Sequence, residues 1–184
     1  MDTPLKSTRA SSLKLYHELM ANKVGDILLV SCPYDAFIME EEGRLSTRII
    51  NEYKGLNLSK PPRLTWVSSA SEAFQRLEEK KFDLILAMPS LDEMDVYSFG
   101  EKVKQKYADL PFFMLLHNTC DIDQYICVDK SKAIDRTYIW GGNADLLLAI
   151  IKNFEDEMNV AFDTENADVR VVILVEDSPY HYSS

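Results

Sequence analysis

Two rhythms of apolar and polar positions alternate along the chain. Short apolar runs recur at Ile27 to Val30, "RLTWVSS" (Arg63 to Ser69), "FDLILAM" (Phe82 to Met88), "PFFMLL" (Pro111 to Leu116) and "IDRTYIW" (Ile134 to Trp140). Their length and their β-branched and aromatic content predict strands. Between them the spacing turns helical. Residues 35–53 read as helix with Gly55 as a stop, and "NLSKPP" (Asn57 to Pro62) reads as loop. Ser71 opens "SEAFQRLEEKK", with Ala73, Phe74 and Leu77 inward. Residues 95–108 place Val96, Phe99, Val103 and Tyr107 in helical register. Residues 119–133 are weakly helical, and Asn143 caps a strong helix from Asn143 to Met158. Ahead of the first strand, Leu13, Tyr16, Leu19 and Met20 share one face of a leader helix over residues 11–22.

Strand and helix thus alternate five times. That order predicts an α/β fold, a parallel sheet with right-handed crossovers and helices on both faces. Five strands in this length fit the flavodoxin-like doubly wound order 2-1-3-4-5. In such sheets chemistry gathers at the C-terminal strand edge, so the residues just past each strand are the ones to read.

Charge and composition remove several classes. The chain has 184 residues and a net charge of −10, which argues against nucleic acid or an anionic membrane as partner. No apolar run approaches the roughly 18–20 residues that span a bilayer, and "MDTPLKSTRASS" has no apolar core of a signal peptide. Three cysteines at irregular spacing make no disulfide framework. A cytoplasmic protein with reduced thiols is expected, folding without metal or cofactor.

Past the strands stand Ser31 and Cys32, then Met88, then Leu116, then Gly141. The stretch "FDLILAMPSLDEMD" resembles the motif around the third strand of the receiver domains of two-component response regulators. Asp83 to Leu86 match its start and Met94-Asp95 its end, without a gap. The resemblance covers residues 24–158 and implies a receiver architecture. It also implies an aspartate acceptor where Met88 stands, an acidic Mg²⁺-binding pair where Ser31 and Cys32 stand, a Thr or Ser at Leu116 and a Lys at Gly141. Every one of these positions departs from the pattern. Phosphoryl transfer needs a nucleophile and cations to neutralise the transferring oxygens, and Mg²⁺ needs hard oxygen ligands. A thioether, a Ser-Cys pair, a leucine and a glycine supply none of these. The expectation is a pseudo-receiver with no enzymatic activity, acting through protein contacts.

Two other readings are set beside it. A working receiver with a displaced acceptor would draw on Asp83, Asp92 or Asp95, although Asp83 sits at the wrong end of its strand. A small enzyme or ligand sensor would use Cys32 and His117, at neighbouring strand ends, with Cys120 close by. Cys127 reads as core, and "GGN" (Gly141 to Asn143) as a strand-to-helix turn. Met88, Pro89 and Trp140 would make the edge apolar.

The chain ends on "VRVVILVEDSPYHYSS", whose "ILVEDSPY" echoes "ILLVSCPY" at the first strand. It resembles the first strand of a second receiver, with Glu176 and Asp177 as that domain's Mg²⁺ pair. The divisions expected are a leader (1–23), the pseudo-receiver (24–158), a linker (159–168) and the start of a second receiver (169–184). The layout resembles the front of regulatory proteins that fuse receivers to a phosphoenolpyruvate/pyruvate-binding kinase domain. The partners implied are the adjacent receiver or a second copy of the chain. The contact face would lie on the last helix, where Leu146, Leu148 and Ile151 belong to an apolar run too broad for one sheet face.

Overall fold

The five apolar runs pair into one parallel sheet. In the computed structural model the described residues are 20–41, 45–55, 60–91, 94–117, 125, 132–141 and 144–166, with Val171, Glu176, Ser178 and Ser183. The strands are β1 (Asp26–Val30), β2 (Arg63–Val67), β3 (Leu84–Ala87), β4 (Phe112–Leu116) and β5 (Arg136–Ile139). Their order is β2-β1-β3-β4-β5, all parallel, as the alternation predicted. The central strands β1, β3 and β4 are apolar almost throughout because both of their faces are covered. The edge strands β2 and β5 carry Arg, Thr and Tyr and are only partly buried.

The helices are α1 (Pro33–Glu41), α2 (Leu45–Gly55), α3 (Ala70–Glu79), α4 (Val96–Lys106) and α5 (Ala144–Asn166). The helical stretch expected over 35–53 is two helices, α1 and α2. Ser69 caps α3 by accepting the Glu72 N–H at 3.2 Å, and Glu72 reaches back to the Ser68 N–H at 3.2 Å. Asp95 caps α4, accepting from the N–H groups of Tyr97 and Ser98.

The chain divides into two units. The larger, residues 24–148 with 176–184, holds the sheet. On one sheet face Leu28, Val30, Ile85, Ala87, Met114 and Leu116 pack against Ala73 and Leu77 of α3 and Phe99 and Val103 of α4. Phe99 is the hinge of that core, its ring 5.3 Å from Phe74 and 5.5 Å from Phe112, both edge-on. Gly100 permits close approach, since a Cβ there would lie 3.2 Å from Ala133. The right-handed crossover rule sets α1 and α2 on the opposite face, the side of Ile27 and Leu29.

The smaller unit, residues 1–23 with 149–175, revises one expectation. Residues 159–168 were read as linker, but α5 runs on to Asn166. Their polarity misled because it is used internally. Glu155, Asn159 and Asp163 repeat every four residues on one helix face and are at most 6% exposed. Asp163 accepts the Met20 N–H at 3.3 Å, and Asn159 accepts the Asn22 N–H at 2.9 Å while donating to the Asn22 carbonyl at 2.8 Å. Glu155 takes the Lys152 ammonium at 2.5 Å and that of Lys23 at 3.9 Å. Residues 20–22 are not helical, and Met20 has φ 54°. The rest of the expected leader helix, most of residues 119–133 and most of the tail strand lie outside the described residues.

Candidate functional site

Strand ends deliver the candidate residues to one edge, and the chemistry there is apolar. Met88 is wholly buried one residue beyond β3, its N–H bonded to the Val30 carbonyl at 2.9 Å. Leu116 ends β4 at 0% exposure. Ser31 is equally buried and spends its hydroxyl on the Trp66 indole, whose Nε1 donates to Oγ at 3.0 Å and to the Ser31 carbonyl at 3.2 Å. Trp140 follows β5 at 4% exposure, its N–H bonded to the Leu116 carbonyl at 2.6 Å. Gly141 is exposed, with nothing within 4 Å of where its Cβ would stand. Gly142, Asn143, Asp92, Cys120, Cys127 and Asp177 lie outside the described residues. Glu176 is exposed and accepts the Ser178 N–H at 2.9 Å, a local turn contact.

Cys32 and His117 do not form the pair that their strand positions suggested. His117 Nε2 instead meets Asp35 Oδ1 at 3.0 Å. Asp35 stands in the first turn of α1, where the helix dipole favours a carboxylate. It is 4% exposed, and its Oδ2 has no hydrogen-bond partner among the described residues. Burial pushes the Cys32 thiol up; the Asp35 N–H pulls it back in part, and the Asp35 carboxylate adds to the rise. A raised thiol is the wrong direction for a nucleophile. Among the described residues no group of three or more His, Cys, Asp or Glu side chains could hold a metal ion. Sequence reading passed over Asp35 because it follows no strand directly. Its place in the first turn of the helix leaving β1 is the signal that could have marked it.

The other carboxylates have structural duties. Asp83 is at the opposite end of the sheet, accepting the N–H groups of Gly25 at 2.8 Å and Asp26 at 2.9 Å. The Ser98 hydroxyl, 2.6 Å from Oδ2, and the Ser98 N–H hold the Asp95 carboxyl below its ordinary value, as befits a helix cap.

On α5, Leu146 and Ile151 are buried at 8% and 0%. Leu147 and Ile150 are buried as well, and Leu148 is half-buried. The apolar run that was expected to need a second surface is therefore largely covered within the chain. Of the three residues assigned to a contact face, only Leu148 retains appreciable exposure.

No helix among the described residues is long and apolar enough to cross a membrane. No family model matches the chain, and no curated protein matches it in sequence. Solved structures do match in fold. One is the signal receiver domain of an HD domain-containing protein from Pseudomonas fluorescens, 16% identical, TM-score 0.52, covering 77% of this chain and 94% of that one. Another is a chemotaxis response regulator of Vibrio cholerae, 15% identical, TM-score 0.51, covering 71% and 98%. A third is the receiver domain of a sensor histidine kinase from Pseudomonas aeruginosa, with a magnesium ion coordinated in its active-site cleft. It is 19% identical, with TM-score 0.50, covering 72% and 98%. At these identities the likeness is one of fold: five parallel strands in the order 2-1-3-4-5, shared with receiver domains.

Proposed function

We propose that residues 24–158 form a receiver-like module of two-component signalling that takes up no phosphate and acts through protein contacts. The observation that carries this reading is Met88, fully buried one residue beyond β3 with its N–H bonded to the Val30 carbonyl. A phospho-acceptor must present an oxygen to solvent beside a cation. This edge presents a fully buried thioether, with a hydroxyl already bonded to Trp66. The likeness to receiver domains supports the signalling context, and the lost oxygens support contact as the mode of action.

Incubation with acetyl phosphate and Mg²⁺, followed by intact-mass spectrometry, tests it. No added phosphoryl mass is expected, with or without the metal. Phosphate retained on any aspartate would overturn the reading, and on Asp83, Asp92 or Asp95 it would restore the displaced-acceptor alternative.

The partner contacts are part of the same proposal: a neighbouring receiver in a longer chain, to which Glu176 and Asp177 would belong, or a second copy. On α5 that contact narrows to Leu148. Leu148→Glu is expected to shift sedimentation toward the monomer at an unchanged melting temperature. A parent already monomeric at the highest concentration removes α5 from the proposal.

A further inference from the structure

Four of the large side chains left exposed, Tyr34, Phe37, Ile50 and Trp66, come from one stretch of chain between α1 and β2. Tyr34 is 71% exposed and Phe37 59%, and neighbouring exposed aromatics, unlike scattered ones, mark a contact surface. They stand three residues apart, on one face of α1. Trp66 is 43% exposed, with its indole fixed by the two hydrogen bonds to Ser31, which stands two residues ahead of α1. Its register places it beside Leu29. The neighbours Leu28 and Val30 face α3 and α4, so pleat alternation sends Leu29 and Trp66 to the side of α1 and α2. Tyr34, Phe37 and Trp66 thus lie on the same side of the sheet, around the start of α1.

The charges of α1 itself have one sign, while α2 and β2 carry Arg48, Lys54 and Arg63, of which Arg63 is paired with Asp26 at 2.8 Å. α1 carries Asp35, Glu40 and Glu41 and no basic side chain. An acid at a helix C-terminus opposes the dipole and is not placed there by helix stability. Glu40 is exposed and, among the described residues, accepts from the Ser46 hydroxyl at 3.3 Å. Arg48 on α2 is engaged with Asp145 at 2.8 Å. Exposed aromatic faces, indole included, attract cations held above them, and a chain of net charge −10 draws a basic partner toward it.

We infer that the Tyr34–Phe37–Glu40 face of α1, with Trp66 beside it, is a docking surface for a basic segment of a partner protein. Arginine or lysine heads would lie over the aromatic rings, and Glu40 would pair with a flanking charge. The inference rests on the reading of this domain as a contact module, but it concerns a different surface from Leu148 and needs no statement about phosphate.

The test uses the full chain and two short synthetic peptides, one of alternating arginine and lysine and one in which glutamate replaces every basic residue. Trp140 is buried, so the accessible tryptophan signal belongs to Trp66. The basic peptide is expected to change that fluorescence saturably, more strongly at low salt, and the acidic peptide to leave it unchanged. Tyr34→Ala with Phe37→Ala should weaken binding about tenfold or more at an unchanged melting temperature, and Glu40→Lys should weaken it at low salt. Equal binding of both peptides, no saturable binding of the basic one, or full affinity in the aromatic double variant would each overturn the inference. The mass-spectrometric test bears only on phosphate, so a failure here leaves that result standing.

Discussion

Met88→Asp is expected to destabilise the domain by ~3–5 kcal/mol, the scale of an uncompensated buried charge, and to gain no phosphoryl uptake. The substitution restores the residue type that a receiver would carry beyond β3. It does so at a position with 0% exposure, where the backbone N–H is bonded to the Val30 carbonyl. Desolvation would raise the pKa of the new carboxyl. The folded variant then binds its proton more tightly than the unfolded chain. Its deficit against the parent should therefore be least below about pH 4, the ordinary carboxyl value, and grow as pH rises through the raised value. Urea unfolding of parent and variant at acidic and at alkaline pH measures this. Met88→Leu serves as control, with a cost under about 1.5 kcal/mol. A Met88→Asp protein as stable as the parent at alkaline pH would show that the edge is open to water, and the apolar-edge argument would fail.

The sheet was legible because its determinants are local and redundant. β1, β3 and β4 are uninterrupted apolar runs, and helical spacing separates them. The strand order then follows from crossover handedness and the number of units. Boundaries moved by a residue or two at caps such as Ser69 and Asp95, where side-chain geometry decides. What the sequence hid was polar and tertiary. Asn159 and Asp163 read as solvated linker, and the backbone of Met20 and Asn22, more than 130 residues away in sequence, explains their burial, as the Lys152 and Lys23 ammoniums explain that of Glu155. The edge was half legible. That Ser31, Cys32, Met88 and Leu116 place no carboxylate past their strands could be read from residue types alone. The partner of His117 could not, because Asp35 lies in a helical turn whose direction depends on how α1 leaves β1.

Two phenylalanines separate scaffold from surface. Phe99→Ala is expected to cost ~3–5 kcal/mol, because Phe99 is wholly buried and its ring links Phe74 of α3 to Phe112 of β4. Removing it leaves a cavity that two helices and a strand cannot collapse together, since α4 is already held close to Ala133 at Gly100. The urea midpoint should fall with the slope unchanged, as befits a loss of packing in a fold otherwise intact. Phe99→Leu should recover part of the loss by refilling some of the volume. Phe37→Ala removes the same atoms from a site 59% open to solvent. Its effect on stability should stay within about 0.5 kcal/mol, while it weakens capture of the basic peptide. If Phe37→Ala instead unfolds the protein as Phe99→Ala does, then Phe37 is part of the core and α1 is no docking face. If both leave stability unchanged, the Phe99 cluster is not the centre of the fold, and the packing described for α3, α4 and the sheet is wrong.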